Sequence, residues 1–472
     1  MEKTFDHPVI DSDGHTVEFM PALLEVLTEV AGREITQRYS DFFSRGFLGW
    51  YGLTPTQRAE RRAVRGPWWA LPASNTLDRA TASLPRLLYE RLDEIGIDFT
   101  VLYPSAALIA PELQDEELRQ AVCRAVNTLH AELFHPYADR MTPAAVIPTT
   151  NPEEALTELD YAVGELGHKV VMLAGVVRRP IPAAASTNDR PETWIDALGV
   201  DSAHDYDPVW RRCVELGVSP TFHSNGLGWG ARTSVSSYVH NHLGGFAAAG
   251  EATCRSLFLS GVPHRFPELR FAFLEGGVGW ACNLYADLVG HWEKRGGENI
   301  QAYNPARMDM PRFEALLREY GEPRFLDKVE HAAGSIGLHT SPEDPAALDE
   351  FAACGIDRAE SIRELFAERF YFGCEADDPM NAWAFAKQVN PFRARLRAMF
   401  SSDIGHWDVR DVSQVVSEAW ELVDHGLIDE ADFRDFTFRF PAQFWTATNP
   451  DFFQGTALAG AVTQLDKGTR TP

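Results

Sequence analysis

The stretch Pro8-Val9-Ile10-Asp11-Ser12-Asp13-Gly14-His15 decides the fold and opens the search for a site. Val9 to Asp13 reads as a first strand. Residues at i and i+2 of a strand share a face, so Asp13 and His15 project together from its carboxyl end. A carboxylate and an imidazole aimed at one point form half of a metal site. A solvated Asp-Gly turn with an incidental histidine is the bland alternative, and later segments weigh against it.

Short apolar runs recur after amphipathic helical stretches. They are Asp98–Tyr103, Ala144–Pro148, Lys169–Leu173, Ser219–His223, Arg270–Glu275, Arg369–Gly373 and Ala398–Asp403. With the first run they make eight strands alternating with helices, the pattern of a parallel α/β protein. Eight is also the number that closes a (β/α)₈ barrel. No Gly-rich phosphate-binding turn follows the first strand, which weighs against a doubly wound open sheet. Three spacings exceed a simple βα unit: 20–85, 176–207 (a Pro- and Ala-rich loop) and 296–365. Insertions after strands sit at the carboxyl-end face, where barrel active sites lie. The reading is one barrel domain over 1–465 decorated by these insertions, with a polar tail at 466–472.

Composition narrows the function. The 472 residues are 45% hydrophobic and carry a net charge of −25, which disfavours nucleic acid and anionic membrane as partners. The six cysteines are scattered without a CxxC pair, as in a reduced, cytoplasmic protein. Met1 to Asp6 shows no signal-peptide core, and no apolar run approaches the ~20 residues a membrane helix needs.

Four strand ends carry ligand-type side chains. Besides Asp13 and His15, strand 5 ends in His223-Ser224-Asn225-Gly226, strand 6 in Glu275-Gly276-Gly277 and strand 8 in Asp403-Ile404-Gly405-His406. His223 alone could be a satisfied core histidine, and Glu275 or Asp403 alone could face a helix N-terminus. Their coincidence at one barrel mouth points to a metal. His242, in His240-Asn241-His242, is a further candidate ligand beside the bland reading of a surface pair. His406 is a candidate proton shuttle or ligand, and Glu375, after strand 7, a candidate partner for a ligand histidine. His291 reads as core packing. Trp50, Tyr51, Trp68, Trp69 and Trp229 could wall an apolar pocket, with Asn225 and Trp229 the candidate substrate contacts, although lid packing explains such aromatics equally well.

The order DxH, His on strand 5, Glu-Gly-Gly on strand 6 and Asp on strand 8 resembles the amidohydrolase superfamily. The most specific stretches are Ile10–His15, Phe271–Trp280 and Ser402–Gly405. The likeness runs to the amidohydrolase-related branch that includes aminocarboxymuconate-semialdehyde decarboxylase. It implies a metal-dependent decarboxylase or hydrolase of a carboxylic or aromatic acid, with one Zn or Mn ion and a possible homodimer. That branch usually has HxH where Asp13 and His15 stand, and His at position 275. The exchanges leave three carboxylates beside His15 and His223, a mixed set suited to iron or manganese rather than zinc. A diiron monooxygenase branch of this fold, in platensimycin and platencin biosynthesis, is similar in that respect. It implies two Fe ions, O₂, an external reductant and a bulky diterpenoid-like substrate. This oxygenase is the leading expectation and the decarboxylase or hydrolase its alternative.

Overall fold

The computed structural model describes residues 5–45, 49–66, 74–181, 192–336 and 349–469. Eight strands form one parallel sheet: β1 (Ile10–Thr16), β2 (Phe99–Pro104), β3 (Met141–Ile147), β4 (Val170–Leu173), β7 (Pro220–Phe222), β8 (Phe271–Phe273), β9 (Phe370–Glu375) and β10 (Arg397–Ser401). Between β4 and β7 lie β5 (Val177–Pro180) and β6 (Thr193–Asp196), a separate antiparallel pair. The sheet closes where β10 meets β1. Asp403 N–H donates to Asp13 O and His15 N–H to Ile404 O, both at 3.0 Å. Closure removes exposed sheet edges and makes a (β/α)₈ barrel, as the alternation of apolar runs and helices predicted.

The strands are buried along almost their whole length, which fits their continuous apolar runs. Helices cover the outside, and several begin on sequence signals. Asp115 accepts Leu118 N–H at 3.2 Å to open Glu116–Phe134, and Asn151 accepts Glu154 N–H at 2.9 Å ahead of Pro152–Leu159. Gly96, at φ 86°, ends Pro85–Ile95 in the left-handed conformation that suits glycine. Phe366, Phe370 and Phe372 pack edge-on and stacked against Phe273 and Tyr285 in the core. All six cysteines are buried free thiols.

β1 carries a device that the sequence concealed. Asp11 is fully buried and accepts from Ser402 N (2.9 Å), Ser402 Oγ (2.7 Å), Thr100 Oγ1 (2.7 Å) and Asp13 N (3.2 Å). One carboxylate thus ties β1 to both neighbouring strands at the seam. Gly14 is required beside it, because a Cβ there would lie 2.6 Å from Asp11 Oδ2 and 2.8 Å from Thr100 Oγ1. Its role is close approach inside a strand, not a turn.

The insertions differ from expectation in one place. The stretch 176–207, read as a loop, contains the β5–β6 hairpin; a two-stranded ribbon of four residues each is too short to show a clear alternating pattern. In 20–85 the helix Met20–Phe43, kinked at Gly32, buries Leu23, Leu27, Ile35 and Tyr39. In 296–365 the helix Met310–Tyr320 buries none of its residues. The terminal helix Ala459–Thr469 runs through most of the stretch read as a tail. No helix among the described residues is long and apolar enough to cross a membrane.

Candidate metal centre

Asp13, His15, His223, Glu275, Asp403 and His406 meet at the carboxyl ends of β1, β7, β8 and β10, and each is at least nine-tenths buried. β7, β8 and β10 stop earlier than predicted, so His223 stands one residue and Glu275 and Asp403 two residues past their ends, whereas β1 runs on through Asp13 and His15 to Thr16. His15 Nε2 lies 3.3 Å from His223 Nε2 and from Asp403 Oδ1, 3.6 Å from Asp13 Oδ1 and 3.8 Å from Glu275 Oε2. His223 Nε2 is 3.1 Å from Glu275 Oε2 and 3.6 Å from Asp13 Oδ1. His406 Nδ1 lies 2.6 Å from Asp403 Oδ1, and its Nε2 is 3.3 Å from Ser105 Oγ.

Glu275 (φ 53°) and Asp403 (φ 50°) both adopt the left-handed conformation that side chains other than glycine disfavour. Such strain concentrates at functional sites. It turns each acid inward where the chain leaves the sheet.

Several ligand atoms of the three carboxylates and of His15 and His223 lack, among the described residues, the hydrogen bonds that buried polar atoms normally make. Asp403 Oδ2 accepts none there, and apart from His406 with Ser105 the contacts above pair ligand atom with ligand atom. Without a cation the charges resolve by taking up protons. Burial, with Glu275 and Asp408 nearby, pushes the Asp403 carboxyl well up. Burial raises Glu275 to about 7, against the pull of His223. Burial works against the charged form of His223, yet Asp13 and Glu275 outweigh it and hold the imidazole up at about 10. Burial, aided by His406 and His223, keeps His15 well down. A divalent cation would satisfy the acceptors and offset the negative charge in one step, so the donor set fits a metal. Two groupings satisfy ligand spacing, His15-Glu275-Asp403-His406 and Asp13-His15-His223, and both use His15.

Two expected contributors lie elsewhere. His242 falls in neither grouping; its ring stacks on Tyr238 at 4.8 Å, because the short helix Tyr238–His242 directs it to that neighbour. The Glu375 side chain is not hydrogen-bonded to a histidine among the described residues. It sits half-buried at the end of β9, and burial with Asp408 and Glu275 raises it to about 8. His240 is a surface residue, as its bland reading had it. His291 is exposed rather than packed in the core.

A cavity of about 660 Å³ opens above the cluster, with His223 and His406 in its lining. Leu108, Ile109, Val176 and Leu227 make much of it apolar, and Asn225 and Trp229 line it as anticipated. Trp50 and Tyr51 come from the first insertion; Trp68 and Trp69 lie outside the described residues. Sequence reasoning missed Glu112, whose carboxyl burial raises to about 7, and Arg65 and Arg178 on the same lining. No periodic signal marks them, because they sit on irregular segments and a short hairpin.

The family model described as amidohydrolase matches residues 53–326, more than half of the chain. Among solved structures, the chain is similar to an amidohydrolase from Mycobacterium avium subsp. paratuberculosis K-10, at 18% identity and a TM-score of 0.54, over 94% of this chain and 98% of that one. It is also similar to a 5-carboxyvanillate decarboxylase from Sphingomonas paucimobilis (13% identity, TM-score 0.49, 93% and 98% covered). A dihydroxybenzoic acid decarboxylase from Polaromonas sp. JS666, with bound manganese, is a third (16% identity, TM-score 0.47, 95% and 99% covered). No curated protein matches. With the barrel closed, its carboxyl-end cluster assembled and the family model spanning most of the sheet, the chain belongs to the amidohydrolase family.

Proposed function

We propose that this protein is a divalent-metal-dependent decarboxylase acting on an apolar or aromatic carboxylic acid. The observation that carries the reading is the buried ring of six ligand-type side chains at the floor of a largely apolar cavity. Family membership and the two cavity arginines support it. The ring favours one cation over two irons: both groupings share His15, whereas paired metals sit ~3.5–4 Å apart with ligands divided between them. The oxygenase expectation, with its two Fe ions and external reductant, draws no support from the family or from the structures named.

Asp13, His15, His223, Glu275 and Asp403 would hold the cation, with His406 beside them. Bound there, it would act as a Lewis acid on a carboxylate or phenolate oxygen of the substrate. The chain's own part is positioning and proton handling. The apolar lining excludes water from the reacting group. His406 faces the cavity, and its Nδ1 is close enough to Asp403 Oδ1 to share a proton. Its Nε2 is steadied by Ser105. His406 is therefore the group we assign to moving the proton that replaces CO₂ on the product carbon.

The test is metal removal by chelation, reloading with Mn²⁺, Fe²⁺ or Zn²⁺ singly, and an anaerobic assay of CO₂ release from a panel of hydroxybenzoates. Activity restored by Mn²⁺ at about one equivalent per chain, and indifferent to oxygen, is expected. Two irons per chain with O₂-dependent product would refute the reading. Water-dependent ring opening or amide cleavage without CO₂ would move it to the hydrolase alternative.

A further inference from the structure

The β5–β6 hairpin interrupts the barrel between β4 and β7, and its base is fixed firmly. Arg179 is paired with Asp196 on the opposite strand and donates to Thr150 O (2.9 Å) and Tyr206 Oη (3.0 Å). Asp196 also accepts from Leu198 N (2.9 Å), Ser202 Oγ (3.0 Å) and Ala203 N (3.1 Å). Tyr206 in turn donates to Thr149 O at 2.5 Å. A hairpin of four-residue strands is marginal by itself, so this buried network is what holds it at the cavity.

Alternation along β5 buries Val177 and Arg179 and exposes Arg178. Arg178 pairs across the hairpin with Ile195, and both line the cavity. Its charge acts on the Glu112 carboxyl of the same lining, without an ion pair among the described residues. Arg65, from the first insertion, is similar. Its guanidinium lies 3.9 Å from the Trp50 ring centroid and 5.1 Å from that of Tyr51, with no carboxylate partner among the described residues. The buried Trp50 indole N–H, beside it, has no hydrogen-bond acceptor among the described residues either. Of the acids in the lining, Asp115 is already paired with Arg38, and burial raises Glu112 to about 7 against the pull of Arg178. A chain of net charge −25 repels anions from bulk solution, yet this cavity presents two arginines that form no ion pair among the described residues. Planar guanidinium groups held by stacking or by a braced strand suit carboxylate recognition.

We propose that Arg178, presented by the β5–β6 hairpin, selects substrates carrying a second anionic group, which it holds at the exposed part of the cavity lining. This rests on the reading that a carboxylic acid occupies the cavity with its reacting end at the metal ring. The substrate class is thus an elongated, largely apolar dianion rather than a simple monocarboxylate.

Calorimetric titration of the manganese-loaded protein with biphenyl-4-carboxylate and biphenyl-4,4′-dicarboxylate tests it. The dicarboxylate is expected to bind about tenfold more tightly, the scale of one charge-assisted contact discounted for exposure. R178Q should bring the two affinities together while leaving the monocarboxylate unchanged, and R178K should keep most of the difference. Arg178 is exposed, so these variants retain the fold, checked by their melting temperatures. Equal affinities in the unaltered protein, an advantage that survives R178Q, or no binding of either probe would overturn the proposal. If manganese removal leaves monocarboxylate binding unchanged, the decarboxylase reading fails instead, and the comparison of R178Q with the unaltered protein still reports on the arginine.

Discussion

Gly14→Ala is the sharpest probe of how this site is built. The added Cβ would sit 2.6 Å from Asp11 Oδ2, 2.8 Å from Thr100 Oγ1 and 3.2 Å from Leu102 Cδ2. Neither oxygen can withdraw without loss, because Asp11 holds Ser402 and Thr100 in short hydrogen bonds across the barrel seam. Forcing a methyl into a packed interior costs about 1–3 kcal/mol. Losing one or two of the Asp11 hydrogen bonds adds about 1 kcal/mol each. The expected loss is about 2–5 kcal/mol. At ~2.1 cal/mol/K per residue, the unfolding entropy of this chain is about 1 kcal/mol/K, so Tm should fall by about 2–5 °C. Scanning calorimetry of the metal-free protein measures that, and metal analysis of the reloaded protein should show weaker manganese retention because Asp13 and His15 flank the disturbed residue. Thr100→Ala removes one of the two clashing atoms, so Gly14→Ala should cost about 1 kcal/mol less in that background. A Tm within 1 °C of the unaltered protein, or strict additivity of the two changes, would refute the packing argument.

His223→Ala and Asp403→Ala should each abolish stoichiometric manganese loading while circular dichroism shows the barrel intact; full occupancy in both would remove these residues from the ligand set. Glu154→Ala should strand the buried Arg119, which Glu154 meets through two bonds of 2.7 and 2.8 Å, and cost about 3–5 kcal/mol by denaturant titration. Glu18 is buried at the end of β1, and burial raises its carboxyl from 4.5 to about 7 although it accepts the Ala106 and Ala107 N–H groups. A carboxyl raised on folding contributes stability below its unfolded value and loses it as pH rises through the folded one. Relative to Glu18→Gln, the unaltered protein should therefore lose ~3 kcal/mol between pH 4.5 and 8. Parallel pH–stability curves for the two proteins would contradict this.

The barrel was legible because each strand is a short apolar run with a helix before it, and parallel burial makes such runs continuous. The ring was legible because Asp13, His15, His223, Glu275 and Asp403 all stand at strand ends, where chain direction alone brings them to one face. His406 lies against Asp403 of the ring, since Gly405, at φ 103°, turns the chain back. What stayed hidden depends on contacts between segments far apart in sequence. Asp11 reads as one more residue of the strand until Ser402 is placed beside it. Arg178 and Glu112 acquire meaning only when a hairpin and a loop face the same cavity. His242 misled because local spacing cannot say whether a short helix points at the sheet or along it.

The left-handed backbone at Glu275 and Asp403 has a consequence for how this molecule ages in evolution. A glycine at either place would relax the chain by about 1 kcal/mol, so the sturdier barrel is the one that has lost its acids. Drift toward thermal robustness and upkeep of chemistry therefore pull in opposite directions at two identifiable codons. A relative that carries glycine there would be expected to survive as a scaffold with no reaction to perform.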